Sequence, residues 1–555
     1  MSAAIQAGLL LAAFGGASSS SAELQVDGVG NVHVPSPRRN VLFIVVDDMR
    51  PNIGPYNFSL AHTPNMDKFA REGLTFKRNY VQYAFCAPSR NSFLSGRRPD
   101  TTQVWNFIDH FREKGVGAKW ASLPGYFRNH GYVTLGSGKL YHPMVPPDND
   151  YEKSWSQEWP YYSPECQPPA CPSSSARGPV DGPYHCVHSD PPQDNNPTFC
   201  AANTTANETR FHYQLEDQRV RDNCMDLLHT AKKTGKNFFV GCGFRKPHVP
   251  WVFPGEFLDH FPEDLEDIPL ANYTYAPIGM PDVAWHYPAD VEGMDIKFNG
   301  TCNATRSRIY RRGYYAAVAY TDYNIGKVLD ELESLGLAND TAVVIFGDHG
   351  WQLGEHDTWA KMTNFELALR TPTMIRAPWM KNSVGRVTNV LGEAVDFYPT
   401  LVELAGLPDP RANGEDINGT SLLPVFVNPD DVSIKKAAFS QFAKPSRKTE
   451  WTVQTRFPRN CTEIMGYTVR VDDWRYTAWF GFDGPAMQPK RHEILGRELY
   501  SHAGDDGDLD FPGENVNVVD DQTNRATVDR LHSMILDYIQ LWPASRPEEY
   551  DELLV

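Results

Sequence analysis

Short runs of consecutive apolar residues, each followed by polar or charged residues, mark the predicted core of this chain. Residues 41–46 read VLFIVV, an uninterrupted apolar run that is typical of a buried parallel strand. The run ends abruptly at Asp47 and Asp48. Further core strands are predicted at 132–135, 238–242 and 342–346.

Helical patterns lie between these runs. Thr63 and Pro64 predict the N-cap and first turn of a helix that stops near Gly73. Its core-facing residues are expected to be Met66, Phe69 and Ala70. Longer helical periodicities cover 306–335 and 393–405. The alternation predicts an α/β fold in which helices cover both faces of a large, mostly parallel sheet.

Two changes of pattern divide the chain. Residues 38–435 are expected to form the main domain, interrupted at 146–207 by an insertion rich in proline, serine, cysteine and tyrosine. We expect disulfides to hold this insertion to the surface, because its aromatic and cysteine content is too high for a disordered linker.

The C-terminal part shows a different alternation. Residues 467–470 and 475–480 predict adjacent strands of a hairpin, and 527–542 predict a final helix. We therefore expect residues 436–555 to form a smaller α+β subdomain with an antiparallel sheet.

Several features indicate the secretory pathway. Residues 1–22 contain a short apolar core followed by small residues, as in a cleavable signal peptide. No internal apolar run reaches the roughly 18 residues that indicate a membrane span. Nine Asn-x-Ser/Thr sites occur, at Asn57, Asn203, Asn207, Asn272, Asn299, Asn303, Asn339, Asn418 and Asn460. We expect a glycoprotein that is lysosomal or secreted.

The nine cysteines support this compartment, since eight can pair as disulfides and leave one thiol. Cys86 is the candidate for the unpaired position, and reduced, buried cysteines are the alternative. The others are Cys166, Cys171, Cys186, Cys200, Cys224, Cys242, Cys302 and Cys461.

The formal net charge of −17 argues against binding to nucleic acid or to an anionic membrane surface. An anionic substrate is compatible with this charge only if positive charge is concentrated in a cleft.

The stretch CAPSRNSFLSGRR, from Cys86 to Arg98, places a cysteine at a predicted helix start. Pro88 suits the first turn of a helix, and Gly96 supplies a stop. The helix N-terminus and Arg90 both favour an anion there. Cys86 is therefore either a nucleophile with a low pKa or a residue that is modified.

Further charged residues follow the predicted strands, at the edge where α/β sheets bind ligands. Asp47, Asp48 and Asp348, the last followed by His349, suggest a hard cation such as Ca²⁺ or Mg²⁺. The basic residues expected to line the same cleft and to surround a tetrahedral anion are Arg90, Lys139, His142, His248 and Lys361.

These motifs resemble those of type I sulfatases, which belong to the alkaline-phosphatase-like superfamily. The resemblance extends in order from VLFIVVDDMRP through CAPSRNSFLSGRR, GSGKLYHP, GFRKPHVPW and GDHGWQLGEHDTWAK to the strands near residue 480. Within the family it is strongest to the branch that removes the 2-O-sulfate of L-iduronate from heparan sulfate and dermatan sulfate. It implies an alkaline-phosphatase-like fold and a sulfated glycosaminoglycan or oligosaccharide as substrate.

The resemblance also implies a modification and a metal. A formylglycine-generating enzyme would oxidise Cys86 during maturation, and the hydrate of formylglycine would supply the nucleophilic hydroxyl. The implied Ca²⁺ ligands are Asp47, Asp48, Cys86, Asp348 and His349.

The remaining roles are implied in the same way. Arg90 and Lys139 would orient the hydrate and the sulfate, and His248 with Lys361 would bind sulfate and protonate the leaving sugar oxygen. His142 would take the proton of the second hydroxyl, so that sulfate is expelled and the aldehyde returns. A cysteine thiolate, in contrast, would form a thiosulfate with no easy exit.

Three alternatives remain open at this stage. The substrate can be another sulfated glycan or an aryl sulfate. The chain can be a phosphatase or phosphodiesterase on the same fold, which would need more His and Asp ligands for two transition metals. It can also be a non-catalytic glycan-binding relative, in which Cys86 remains a thiol.

Overall fold

The computed structural model describes residues 37–159, 161, 215–286, 302–447, 456–505 and 513–541, together with the backbone of short strands at 25–26, 32–33, 184–187 and 199–202. The predicted signal peptide and most of the predicted insertion lie outside these residues. Residues 1–38 and 39–555 form two compact units, so the subdomain boundary near residue 435 remains a prediction.

A seven-stranded sheet forms the centre of the larger unit. Its strands are β1 Asn40–Val46, β2 Leu74–Tyr80, β3 Val133–Gly138, β4 Phe238–Phe244, β5 Thr341–Gly347, β6 Arg370–Arg376 and β7 Arg386–Glu393. They are ordered β7-β2-β6-β5-β1-β4-β3. Strand β6 is antiparallel to both neighbours, and the other four neighbouring pairs are parallel. The prediction of a mostly parallel sheet is confirmed.

Strand β1 shows why the apolar run has no polar gaps. Leu42, Ile44 and Val46 pack into one hydrophobic cluster. The alternate residues Val41, Phe43 and Val45 pack into a second cluster. Successive side chains of a strand point to opposite faces, so both faces of the sheet are covered, as predicted.

The helices that surround the sheet are α1 Pro64–Glu72, α2 Cys86–Ser95, α3 Leu123–Asn129, α4 Glu216–Thr234, α5 Ala304–Ser334 and α6 Phe397–Leu404. Short helices cover Pro99–Thr102, Tyr151–Ser154, Glu366–Leu369 and Leu423–Val427. No helix among the described residues is long and apolar enough to cross a membrane.

Two helix predictions need correction. The helix expected from Glu393 starts only at Phe397, because Glu393 is the last residue of β7 and pairs with Tyr80. Thr63 precedes α1 as expected, but its hydroxyl makes no capping hydrogen bond to the helix. It accepts instead from the backbone N–H of Gly54 at 2.9 Å.

An antiparallel four-stranded sheet follows in the chain, as predicted. Its strands are β8 Ala438–Lys444, β9 Ile464–Val471, β10 Trp474–Asp483 and β11 Gln488–Ser501, in that order. The predicted hairpin is formed by β9 and β10, with Thr468 opposite Thr477. Helix α7, Arg525–Leu541, packs against these two strands.

Short strands complete the described part. Tyr184–Val187, Phe199–Ala202 and Trp251–Pro254 form one sheet, Gln352–Leu353 pairs with Trp359–Ala360, and Gln25–Val26 pairs with Val32–His33. A disulfide joins Cys224 of α4 to Cys242 of β4. Cys86 and Cys461 are thiols.

Candidate active site

Strand register brings the predicted functional residues together. At the carboxyl end of the sheet, Val46 of β1 lies opposite Gly347 of β5 and Phe244 of β4. Gly138 of β3 lies opposite Gly243 of β4. The residues that follow these four strands therefore converge on one edge of the sheet.

Cys86 lies at the centre of this edge, as the first and fully buried residue of α2. Its Sγ is 3.3 Å from both His349 Nε2 and Lys361 Nζ. Asp47 Oδ1 is 3.5 Å and Lys139 Nζ is 3.7 Å from the same sulfur. Residues that lie up to 275 positions from Cys86 along the chain thus surround its thiol.

The surroundings of Cys86 do not favour a thiolate. Burial, followed by the negative charge of Asp47, raises the pKa of the thiol well above its usual range, although Lys139 and Lys361 oppose this. The interpretation of Cys86 as a nucleophile with a low pKa is therefore not supported. A thiol that stays protonated is a poor nucleophile.

Asp48 offers an unpaired ligand atom for a candidate cation site. Its backbone is left-handed, with φ of 60°, and its N–H donates to Asp348 Oδ1 at 3.0 Å. Oδ1 accepts from Lys361 Nζ at 2.7 Å. Oδ2 is buried and has no hydrogen-bond partner among the described residues. A buried, unpartnered carboxylate oxygen is costly unless something binds it, and a cation fits this position.

His349 presents an unprotonated nitrogen to the same space. Its Nδ1 donates to the carbonyl of Gly350 at 2.9 Å, which leaves the Nε2 lone pair directed towards Cys86. Burial and the positive charge of Lys361 lower the pKa of this fully buried histidine well below its usual range. The ligand atoms of Asp47, Asp48, Cys86 and His349 all lie within 4.8 Å of one another.

Asp348 lies beside this group and organises it. Its Oδ1 accepts the N–H groups of Asp48 and His349, and its Oδ2 accepts Arg90 Nε at 2.9 Å. The carboxylate therefore fixes the backbone of two candidate ligands. Its own role as a ligand stays a prediction.

Three buried cations face the three carboxylates. Lys139 Nζ is 2.5 Å and Arg90 Nη2 is 3.2 Å from Asp47. Although burial opposes ionisation, the positive charges of Lys139 and Arg90 hold the pKa of Asp47 well below its usual range. A bound divalent cation would leave this site net positive, which reconciles an anionic substrate with a chain of net charge −17.

The two remaining histidines lie further out. His248 Nδ1 contacts the carbonyl of Val249 at 2.5 Å, and its Nε2 is 4.0 Å from Asp48 Oδ2. His142 stacks on Phe107, with ring centroids 3.8 Å apart. Burial, and then Lys139, lowers the pKa of both histidines well below the usual range, so both are neutral before an anion binds.

Lys361 is held in place by an unusual backbone. Its neighbours Ala360 and Met362 are both left-handed, with φ of 71° and 73°. Such non-glycine conformations cost about 1–3 kcal/mol and persist only where the surroundings impose them. The N–H of Met362 donates to the carbonyl of Ala84 at 2.9 Å, two residues before Cys86.

Sequence reasoning missed Asp217 and Phe107. The Asp217 carboxylate accepts the backbone N–H groups of Arg245 and Lys246, both at 2.8 Å, and thereby fixes the loop that carries His248. Neither residue has a recognisable signal, because each belongs to a segment remote from its partner in the chain.

A second cluster of possible metal ligands contains Glu366, His502 and Glu514. Its carboxylates are already paired with two arginines: Arg470 and Arg475 contact Glu366, and Arg475 Nε is 2.7 Å from Glu514. We interpret this cluster as a structural ion-pair network rather than a metal site.

Comparisons with known proteins agree with this arrangement. The profile of the Sulfatase family matches residues 39–407. The chain is 32% identical over 514 residues to iduronate 2-sulfatase of Mus musculus, which covers 83% of this chain and 88% of that protein.

Two solved structures share the fold. The phosphonate monoester hydrolase from Silicibacter pomeroyi superposes with a TM-score of 0.65 at 20% identity, covering 93% of this chain and 97% of that one. BT4656, solved with its substrate D-glucosamine-2-N,6-O-disulfate, superposes with a TM-score of 0.63 at 20% identity, covering 92% and 100%. At these identities the likeness establishes the fold alone.

Proposed function

We propose, from the premise that this chain belongs to the sulfatase family and is a sulfuric ester hydrolase, that it removes the 2-O-sulfate of L-iduronate in heparan sulfate and dermatan sulfate. The observation that carries the substrate assignment is the 32% identity to iduronate 2-sulfatase across 83% of this chain. A lysosomal or secreted location follows from the same proposal.

The proposal includes Ca²⁺ as the metal. The donor set supports this choice, since carboxylate oxygens suit a hard cation and Asp48 Oδ2 lacks a protein partner among the described residues. Asp47, Asp48, His349 and residue 86 would hold the ion, with Asp348 as a further predicted ligand. When bound, the cation polarises the sulfate and the nucleophile.

The proposal also includes oxidation of Cys86 to formylglycine by a formylglycine-generating enzyme. The raised pKa of the thiol supports it, because an unmodified Cys86 is a poor nucleophile here. The hydrate supplies one hydroxyl that attacks sulfur and a second whose deprotonation expels sulfate.

The other residues bind the anion and move protons. Arg90, Lys139 and Lys361 are buried cations that hold the sulfate oxygens and residue 86. A bound sulfate ester raises the pKa of the nearby His248, which allows His248 with Lys361 to protonate the leaving sugar oxygen. His142, which is neutral before the substrate binds, accepts the proton of the second hydroxyl of residue 86, so that sulfate is expelled.

To test the proposal, this protein is co-expressed with a formylglycine-generating enzyme, and the sulfate that it releases from defined substrates is measured. Disaccharides with 2-O-sulfated iduronate should release sulfate, whereas 6-O-sulfated glucosamine and an aryl sulfate should release far less. Mass spectrometry of the peptide containing residue 86 should show loss of the thiol, and Cys86→Ala is the inactive control.

The outcomes separate the alternatives. Release from the other sulfated substrates alone would overturn the iduronate assignment and keep the sulfatase. A confirmed aldehyde with no sulfate release from any of these substrates would overturn the catalytic proposal. Two zinc ions per chain would indicate a phosphoesterase, and a retained thiol would indicate a glycan-binding relative.

A further inference from the structure

Two aromatic rings, those of Phe85 and Phe107, connect Cys86 to His142. Phe85, which directly precedes Cys86, stacks on Phe107 with centroids 4.0 Å apart and planes 15° apart. Phe107 stacks in turn on His142, with centroids 3.8 Å apart and planes 18° apart. The continuous stack runs from the N-cap of α2 to the imidazole.

Phe107 is held in place by hydrogen bonds of the residues on either side of it in the chain and by the ring of Phe85. The fully buried Asn106 accepts the N–H groups of Ile108 and Asp109 at 2.7 and 2.9 Å, and its Nδ2 donates to the Asp109 carboxylate at 2.6 Å. The carbonyl of Trp105 accepts the Tyr83 hydroxyl at 3.2 Å. Phe85 is 3% exposed, so the far side of the Phe107 ring is also held.

His142 differs from the other two histidines of the site in how it is oriented. His349 and His248 each direct Nδ1 to a backbone carbonyl. His142 Nδ1 is buried and has no hydrogen-bond partner among the described residues. The backbone carbonyl of His142 accepts a hydrogen bond from the N–H of Val145 at 2.9 Å, which fixes the main chain. The orientation of the imidazole ring is therefore restrained by its stacking on Phe107.

We propose that Phe107 is the positioning residue for His142: the ring of Phe107, supported by Phe85, sets the plane of the imidazole that accepts the proton from residue 86. This inference rests on the proposed function. A stacked neighbour substitutes for the missing hydrogen bond, because contact between two aromatic rings favours a defined orientation of their planes. Removal of the ring would let His142 turn away and let water enter.

The electrostatic surroundings of His142 make its behaviour observable. Burial and the cations Lys139, Arg90 and Lys361 lower its pKa, and Asp47 opposes them. These groups remain in place when Phe107 is truncated. Truncation therefore changes the hydration of the imidazole ring, and greater hydration moves the pKa of His142 upward, towards its usual value.

The experiment compares Phe107→Leu, Phe107→Tyr, His142→Asn and the double variant Phe107→Leu/His142→Asn. Phe439→Leu is the matched control, because Phe439 forms a stack of similar geometry with Tyr538, at 4.6 Å and 9°. Phe107→Met replaces the leucine variant if that variant does not fold. The readouts are kcat and KM for sulfate release, and the pH titration of the His142 side chain by NMR.

We expect Phe107→Leu to lower kcat by about 10- to 100-fold with little change in KM, since the misplaced base affects proton transfer more than binding. Phe107→Tyr keeps a ring and should restore most of kcat. In the double variant the leucine substitution should add almost nothing to His142→Asn. The His142 titration should move to higher pH in Phe107→Leu and stay unchanged in Phe439→Leu.

Additive losses in the double variant, or Phe107→Leu kinetics equal to those of Phe439→Leu, would overturn the inference. So would an unchanged His142 titration. If the wild type releases no sulfate, the proposed function fails, and the catalytic part of this inference fails with it. The titration still shows separately whether Phe107 controls the environment of His142.

Discussion

Lys361 and Asp48 form a fully buried ion pair across 313 positions of the chain, with Nζ 2.7 Å from Oδ1. Lys361 Nζ is also 3.3 Å from Cys86 Sγ, so one ammonium group neutralises a candidate metal ligand and contacts the candidate nucleophile. We therefore expect a change at Lys361 to affect binding, catalysis and stability together.

Lys361→Met should affect both activity and stability. Loss of a charged donor to sulfate is expected to lower kcat about 10²- to 10³-fold. Loss of one member of a buried ion pair should lower the free energy of unfolding by about 3–5 kcal/mol. Sulfate release and urea denaturation measure the two effects, and Lys381→Met, at an exposed lysine, is the control. Wild-type activity in Lys361→Met would contradict the assigned role.

Ca²⁺ should stabilise the folded chain. A ligand that binds only the native state raises the melting temperature as its concentration rises, so chelation should lower both melting temperature and sulfate release, and Ca²⁺ should restore them. Asp47→Asn should abolish the response to Ca²⁺. Asp520→Asn, at an exposed aspartate, should leave it intact. A melting temperature that does not respond to chelation or to added Ca²⁺ would argue against the cation site.

Glu355 should contribute stability that disappears only in strong acid. Although burial opposes ionisation, Arg50 and Arg311 lower the pKa of Glu355 from 4.5 to about 2. A carboxyl whose folded pKa is depressed stabilises the fold above its unfolded pKa, and the effect is lost as pH falls towards the folded pKa. Glu355→Gln should therefore be less stable than the wild type by about 3 kcal/mol above pH 5.

The difference between Glu355→Gln and the wild type should shrink as pH falls from about 4.5 to about 2, the window set by this shift. Urea denaturation at a series of pH values measures it. Glu263→Gln, at an exposed glutamate, should show no such difference. A gap that stays constant with pH would contradict the assigned ion pairs.

The predicted glycosylation sites should not be equivalent. Asn418 is 8% exposed, its Oδ1 accepts the N–H of Arg98 at 2.8 Å and the Thr101 hydroxyl at 3.1 Å, and its Nδ2, the atom that would carry a glycan, is buried. Of the sites that lie within the described residues, five are exposed, at Asn57, Asn272, Asn303, Asn339 and Asn460.

Peptide mass spectrometry after enzymatic removal of glycans should find modification at exposed sites and none at Asn418. Asn418→Ala should lower the free energy of unfolding by about 1–3 kcal/mol, because the Arg98 N–H loses its acceptor. Asn339→Ala should leave the unglycosylated protein nearly as stable as before. A glycan on Asn418 would contradict the contacts assigned to it.

The local sequence was sufficient to predict those elements whose conformation is decided by residues close together in the chain. The run at 41–46 predicts β1 because a strand buried on both faces needs an apolar side chain at every position. Pro88 and Gly96 predict the extent of α2, which ends at Ser95 with Gly96 at φ of 68°. The charged residues after β1 and β5 also indicated the site, because the carboxyl ends of neighbouring parallel strands lie at the same edge of a sheet.

Strands β2, β6 and β7 could not be predicted in this way. LTFKRNY of β2 carries charged residues within a strand, and RTPTMIR of β6 contains Pro372, where the pairing with β2 is irregular. Proline cannot donate to a ladder, so the pattern alone argues against a strand there. Tertiary packing decides these strands, since β2 and β6 each pair with a strand on both sides and β7 pairs with β2 at the edge of the sheet.

The sequence by itself determined which residue types follow the buried strands, and hence that carboxylates, cations and a cysteine meet at one edge of the sheet. Only the tertiary structure decided their chemical states and orientations. The raised pKa of the Cys86 thiol and the lowered pKa of His349 depend on burial and on charges from remote segments, and the stacking of Phe107 on His142 depends on packing between separate loops. Such electrostatic effects act through space at a few ångströms, and distance along the chain carries no information about them.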